Sequence, residues 1–273
     1  MSALGIIDSM ELISLDPKNV DSVRKSIQIV RPDHIYYLSG PSSVALSWKL
    51  PLETITEIIE GPHNFLETIR VLDRDIRFFH ASSSECFGDQ TGTLLNESSR
   101  FAPASPYAIG KATGHWAAVS YRNNFGMFVA NGILSNHESV LRSEPFVIRK
   151  IIDYLKDVAL EPKPPLQLGD TSVIRDWLWA GDVAQAIFQI MISPKPDDFI
   201  VASGESNSLK TLIEVGARVL NVGQETIYQE SRAHYRYGEI PSVRLSPTKI
   251  RSELGWNPTI DFESLVKLLV ESS

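Results

Sequence analysis

Tyr107 and Lys111 stand four residues apart in Ser-Pro-Tyr-Ala-Ile-Gly-Lys (105–111), a spacing that on a helix puts both side chains on one face. An ammonium beside a phenol lowers its pKa from about 10 and lets it act as a base. That spacing is also common on ordinary helix surfaces, so the setting has to decide. Just upstream, Ala81-Ser-Ser-Ser-Glu85 closes an apolar run, which brings hydroxyls and a carboxylate to the end of a buried strand. In open sheets of alternating strands and helices, ligands sit at the carboxyl ends of the strands. Two further segments of that kind, Ser39-Gly40-Pro41-Ser42 and Asn136-His137-Glu138-Ser139, again carry small hydroxyls and a carboxylate.

The elements that must position these groups follow from hydrophobic period. Glu11–Asp16 reads as a short strand, and Val20, Val23, Ile27 and Val30 recur at helical spacing up to the break at Arg31-Pro32-Asp33. His34–Gly40 reads as a buried strand, Leu52–Leu72 as a helix despite Gly61-Pro62, Arg77–Ser84 as a strand, Pro106–Asn123 as a helix, and Met127–Ser135 as a strand. Alternation of this kind implies a parallel sheet covered on both faces. Beyond Asn136 the rhythm changes to a helix over Pro145–Val158, a Pro-rich bend and a short strand at Leu166–Gly169. Asp182–Ile192 then reads as a helix, Asp198–Ser203 as a strand, and Leu209–Leu220 and Glu263–Val270 as helices. The expected fold is α/β: a doubly wound parallel sheet with a smaller C-terminal α/β lobe. The sheet domain covers 1–136, completed by about 177–204, and the lobe covers 137–176 and 205–273.

Composition narrows the function classes. The 273 residues carry 26 Lys and Arg against 33 Asp and Glu, a net charge of −7 that argues against nucleic-acid or anionic-membrane binding. With 43% hydrophobic and 22% charged residues the chain has the makings of a globular core. Cys86 is the single cysteine, which excludes an intrachain disulfide and a zinc site built from several thiolates. The six histidines lack metal-ligand spacing, so no metal is expected. No apolar run approaches the roughly 18 residues of a membrane span, no signal peptide is evident, and a reducing cytoplasm is the expected compartment.

The motifs Ala-Ser-Ser-Ser-Glu-Cys-Phe-Gly (81–88), Ser-Pro-Tyr-Ala-Ile-Gly-Lys (105–111), Asn-Gly-Ile-Leu-Ser-Asn-His-Glu-Ser (131–139), Phe-Val-Ile-Arg-Lys (146–150), Arg175-Asp176-Trp177 and Leu-Gly-Trp-Asn-Pro (254–258) resemble the extended short-chain dehydrogenase/reductase family, and within it the GDP-mannose 4,6-dehydratases. The resemblance runs over nearly the whole chain and implies a Rossmann-like doubly wound parallel sheet, truncated at its N-terminal side, with the smaller C-terminal α/β lobe binding the substrate. It implies conversion of GDP-mannose to GDP-4-keto-6-deoxymannose by internal hydride transfer, with NADP, or alternatively NAD, as cofactor and a homo-oligomer, dimer or tetramer, as the working form. Position by position, it makes Tyr107 the base at the sugar 4-hydroxyl and Lys111 its partner and a holder of the nicotinamide ribose. Ser83, where the dehydratases usually have Thr, bonds the 4-oxygen, and Glu85 removes the C5 proton and helps water leave from C6. Asp16, Ser39 and Gly40 fall on cofactor contacts. Asn136, Lys150, Arg175, Arg236 and Glu239 fall on contacts to the nucleotide sugar, where forked guanidinium groups suit a diphosphate. The plainer readings stand beside these: Asn136 as a loop cap, Arg175 in a salt bridge with Asp170 or Asp176, His137 and Glu138 as structural, and Trp177 and Trp179 as core.

The glycine-rich turn that lets a dinucleotide pyrophosphate rest on a helix N-terminus is missing from the sequence, since no two of the 16 glycines are separated by only one or two residues. Against the family pattern the chain begins near the third strand, which leaves Glu11–Asp16 without its neighbour and bares a strand edge. Three outcomes are open: the strand moves against the next one, a partner chain lends its edge, or the sequence is an incomplete gene product. NADP binding is accordingly expected to be weak. Two other functions remain in play, a catalytically silent nucleotide-sugar-binding or assembly subunit and another NAD(P)-dependent nucleotide-sugar epimerase or reductase.

Overall fold

A computed structural model describes residues 5–72, 75–143, 146–223 and 227–272. In chain order the elements are α1 (Val20–Val30), β1 (His34–Tyr37), α2 (Val44–Lys49), α3 (Pro51–Leu72), β2 (Arg77–Ser83), β3 (Leu94–Leu95), α4 (Pro106–Phe125), β4 (Val129–Leu134) and β5 (Asn136–Glu138). They continue with α5 (Val147–Leu160), β6 (Leu166–Leu168), β7 (Ile174–Trp179), α6 (Ala180–Ile192), β8 (Asp198–Val201), β9 (Ser206–Ser208), α7 (Leu209–Val219), β10 (Tyr228–Glu230), β11 (Arg244–Leu245), α8 (Thr248–Leu254) and α9 (Phe262–Glu271). The main sheet has the order β1-β2-β4-β8 and every pairing in it is parallel. Connections between these strands run through helices, so both faces are covered and the Rossmann-like reading holds.

Local signals explain the elements that carry the site. Ser105 Oγ accepts the Ala108 N–H at 3.1 Å, Pro106 occupies the first turn where its missing N–H costs nothing, and Gly126 ends α4 in the left-handed region at φ 65°. α3 continues through Gly61-Pro62, and a side chain at position 61 would strike the Tyr37 ring, so only a glycine lets helix and strand meet there. β2 is buried beyond Arg77, its apolar and small residues joined by a buried His80.

Packing divides among several clusters. Val23, Phe65, Leu66, Ile69 and Phe78 fill one side of the sheet, and Phe79, Leu178, Ile190, Phe199 and Trp256 fill the other. A separate cluster of Ile148, Ile152, Leu155, Leu212, Ile213, Leu265 and Val266 joins α5, α7 and α9. Beside it stands a second sheet, β5-β7-β9, which mixes parallel and antiparallel pairing.

One expectation is overturned. Glu11–Asp16 forms no strand: Leu12 and Ile13 are exposed, while Asp16 builds a turn in which its carboxylate accepts the Lys18 N–H at 3.0 Å. β1 is therefore an edge strand, paired with β2 alone. The strand-like composition of 11–16 loses because an extended segment with no ladder partner leaves its backbone groups to water. The far edge differs. There the outward Ile200 N–H donates to Glu97 Oε1 at 2.8 Å and Lys249 Nζ donates to the Asp198 carbonyl at 2.9 Å, so side chains close the ladder. The helix expected from Pro145 begins at Val147, and Pro145 itself lies outside the described residues.

Candidate active site

β2 delivers Ser83 at its last position, and the single 3-10 turn that follows, Ser84–Phe87, carries Glu85. Ser83 Oγ accepts the Glu85 N–H at 3.2 Å, which caps that turn and fixes one side chain relative to the other. The turn ends at Gly88, whose φ of 66° and whose approach to the Ala102 carbonyl exclude a side chain. From α4, Tyr107 and Lys111 reach the same place, both buried. The Tyr107 hydroxyl hydrogen-bonds with Ser83, and the ammonium of Lys111 lies 5.9 Å from the Tyr107 ring centre. These four side chains line one cavity of about 620 Å³, a size suited to a nucleotide-sized ligand.

The electrostatics of the four groups are set by burial. Desolvation pushes the Tyr107 phenol well above its ordinary value, against the hydrogen bond from Ser83. Burial also brings Lys111 down to about 8, and its ammonium donates to the Ala81 carbonyl at 2.9 Å. Lys111 is thus aimed at the strand backbone, and burial outweighs the lowering of the phenol expected from the four-residue spacing. Glu85 is raised by burial and drawn back by Arg175. Cys86, behind them, is pushed up to about 11 by its apolar surroundings and sits as a small buried side chain near Ser82.

The lining continues from Glu85 onto β5, β7 and the segment 232–240. Asn136, Lys150, Arg175, Arg236 and Glu239 all face the cavity. Arg175 is almost fully buried on β7, and its partners are neither Asp170 nor Asp176. Its Nη1 donates to the Ile174 and Ile240 carbonyls at 3.0 and 2.7 Å, Nη2 donates to Glu239 at 2.9 Å, and Nε lies 3.8 Å from Glu85. Arg236 is half exposed with Nε 3.7 Å from Glu239, and Lys150 Nζ donates to the Gln167 carbonyl at 2.9 Å. Asp176 turns away to accept the Ser203 and Gly204 N–H groups at 2.9 and 2.7 Å. Burial still raises it, to about 6.

Of the twelve expected site residues, Asp16, Ser39 and Gly40 do not line the cavity. Ser39 and Gly40 stand on the loop after β1 between Leu38 and Ser42, which do, and Asp16 is taken up by its own turn. The cavity also has walls the sequence did not single out. Ser43, Val44 and Ala45 enter from α2, a six-residue helix that Ser43 caps. His137 and Arg142 enter from β5 and the turn beyond it. His137 donates from Nδ1 to the Ser135 carbonyl at 2.9 Å, leaving Nε2 as an acceptor, and Arg142 pairs with the buried Glu138 at 2.7 Å. On α2 the exposed Trp48 meets Tyr237 edge-on with ring centres 6.4 Å apart, joining α2 to segment 232–240. Among the described residues no group of three or more His, Cys, Asp or Glu could hold a metal ion, and no helix is long and apolar enough to cross a membrane.

The family model for GDP-mannose 4,6 dehydratase matches residues 3–269. The chain belongs to that family. It is 35% identical to GDP-mannose 4,6 dehydratase 2 of Arabidopsis thaliana over 96% of this chain and 71% of the relative. It is 31% identical to GDP-mannose 4,6-dehydratase of Vibrio cholerae over 93% of this chain and 76% of the relative. Among solved structures, the dTDP-glucose 4,6-dehydratase DesIV from Streptomyces venezuelae, with NAD and TYD bound, superposes with a TM-score of 0.87 at 21% identity, covering 98% of this chain and 82% of that one. RMD from Pseudomonas aeruginosa, complexed with NADPH, gives a TM-score of 0.84 at 22% identity over 94% and 85%. At those identities the two structures speak for the fold, and the fold they share with this member of the dehydratase family is the Rossmann-like sheet described above.

Proposed function

We propose that the chain dehydrates GDP-mannose to GDP-4-keto-6-deoxymannose. The observation that carries this reading is the meeting of Ser83, Glu85, Tyr107 and Lys111 in one cavity that Arg236, Glu239 and Arg175 also line. Tyr107 and Lys111 would hold a nicotinamide cofactor on their side of the cavity, which when bound takes a hydride from C4 and returns it at C6. Ser83 bonds the sugar 4-oxygen and orients it toward Tyr107, which accepts the hydroxyl proton as C4 becomes a ketone. Glu85 then takes the C5 proton, acidified by that ketone, and passes it to the departing C6 hydroxyl, which leaves as water. Tyr107 returns its proton to C5, so the chain ends each cycle in its starting protonation state. Arg236 supplies the cation for the GDP diphosphate, because it is half exposed and held only loosely by Glu239.

Binding without turnover is a second reading. It is supported by burial, which favours the protonated Tyr107 phenol. Tyr107→Phe separates the two, assayed with saturating NADP or NAD. On the dehydratase reading the variant binds GDP-mannose as the parent does and loses about 10²- to 10⁴-fold in turnover, the usual worth of a positioned general base. Equal turnover in the two proteins removes Tyr107 from the mechanism. A parent that binds GDP-mannose and never turns it over establishes the second reading.

A further inference from the structure

Glu85, Arg175, Glu239 and Arg236 form a row of alternating charge along one wall of the cavity, with contacts of 3.8, 2.9 and 3.7 Å in that order. Arg175 is the shared member. It is buried, and two of its contacts are to backbone carbonyls that fix its plane, so the guanidinium itself has little room to move. What remains adjustable is how its charge divides between two carboxylates, one at hydrogen-bond distance on Glu239 and one farther off on Glu85. Glu239 is in turn shared with Arg236, the outermost and most exposed member. Glu85 is faced from its own turn by Cys86, from α4 by Tyr107, from β7 by Arg175, and from segment 232–240 by Glu239 and Arg236. The only cations among these are the two arginines of the row.

We propose that binding of a nucleoside-diphosphate sugar is proton-linked: a diphosphate on Arg236 frees Glu239 to take Arg175 more fully, and Glu85, left with less of that counter-ion, takes up a proton from solvent. This inference deepens the proposed function and rests on it for the identity of the ligand. The physical direction follows from charge alone. A diphosphate adds negative charge at one end of the row and competes with Glu239 for Arg236, and both effects withdraw positive potential from the other end. Burial already raises Glu85 and Arg175 opposes that rise, so weakening the opposition moves the carboxyl further toward neutrality. A group that must accept a proton from carbon and hand it to a leaving hydroxyl works best with a proton affinity near the working pH, where part of the population stays ionised, and that ionised fraction of Glu85 is the one that takes the C5 proton. The row would confer that affinity only when substrate is present.

Calorimetric titration of the full 273-residue chain with GDP-mannose, in buffers of different ionisation enthalpy and without added nicotinamide cofactor, tests this. The pyrophosphate diester of this ligand has no proton to exchange in the range used, so uptake reports the protein. As pH is raised from the ordinary carboxylate range, the expected result is net uptake that rises to a maximum and falls again. Glu85→Gln, which keeps the side chain's shape, should abolish it while GDP-mannose still binds. Glu239→Gln should shrink it, because Arg175 then stays with Glu85 throughout. Binding with no uptake at any pH, or with uptake unchanged in Glu85→Gln, overturns the proposal and leaves the dehydratase reading standing. Failure of GDP-mannose to bind at all overturns the ligand assignment itself.

Discussion

His80 lies three residues before Ser83 on β2, fully buried and bonded from Nδ1 to Asn131 Oδ1 at 2.9 Å. Desolvation brings its imidazole down to about 3, with Lys111 adding to the effect. The unfolded chain takes up this proton near the ordinary value of about 6.5, while the native chain refuses it until about 3. Stability is therefore fully present above pH 6.5 and declines as pH falls toward 3, by up to about 1.4 kcal/mol per unit. Urea midpoints measured between those pH values should show this slope, and His80→Gln should flatten it. Asp198, held below its ordinary value by His115 and Arg122 against the opposing cost of burial, adds a separate loss only at lower pH. None of this network was legible in the sequence. His80 and Asn131 are 51 positions apart and Asn131 and Asp198 are 67 apart, and no local period connects them. Tyr107, Lys111, Ser83 and Glu85 were legible for the opposite reason, since helix spacing and a strand end bring each pair together locally.

At the scale of elements, the long, uniformly patterned segments were readable and the short polar ones were not. α3, α4, β2 and β4 follow from apolar period and from the Ser105 and Gly126 signals at the ends of α4. β7 escaped notice because Arg175 and Asp176 look like surface residues, and they are buried only because Glu239 and the Ser203 and Gly204 N–H groups meet them there. Glu11–Asp16 misled in the other direction, since its composition suits a strand that no neighbour supports. The turn that carries Glu85 makes a sharper element-level prediction. Gly88→Ala would place a methyl 1.9 Å from the Ala102 carbonyl oxygen at a left-handed φ, which should cost about 2–4 kcal/mol in strain and displacement. Gly92 has φ 86° with nothing within 4 Å, so Gly92→Ala should cost only about 1 kcal/mol. Equal denaturation midpoints for the two variants would show that the close approach at Gly88 does not constrain the turn.

For the whole molecule, the two edges of the main sheet set the behaviour. The β8 edge is sealed by Glu97 and Lys249, whereas β1 ends the sheet with Tyr36 on it 39% exposed and Leu38 just after it 58% exposed. A paired strand with an unoccupied side and apolar neighbours is a template for another chain. The net charge of −7 opposes that contact, and salt screens the opposition. Light scattering should therefore show a mass that rises with protein concentration and rises further from about 0.05 to 0.5 M salt. Tyr36→Glu should lower both trends, and a parent that stays monomeric throughout would show that this edge is not sticky.

Trp48 and Tyr237 join α2 to the segment carrying Arg236 and Glu239, and both of those elements line the cavity. Considered in time rather than in space, a ring pair that ties two lining elements together is expected to act as a clasp whose opening sets how long a bound molecule stays. An aromatic pair is worth about 0.5–1.5 kcal/mol, so removing one ring should make opening about two- to ten-fold more frequent. Tyr237→Ala should speed both arrival and departure of GDP-mannose in stopped-flow traces, with the equilibrium constant moving less than either rate. A variant that changes affinity through departure alone would mean that Tyr237 touches the ligand instead of guarding its exit.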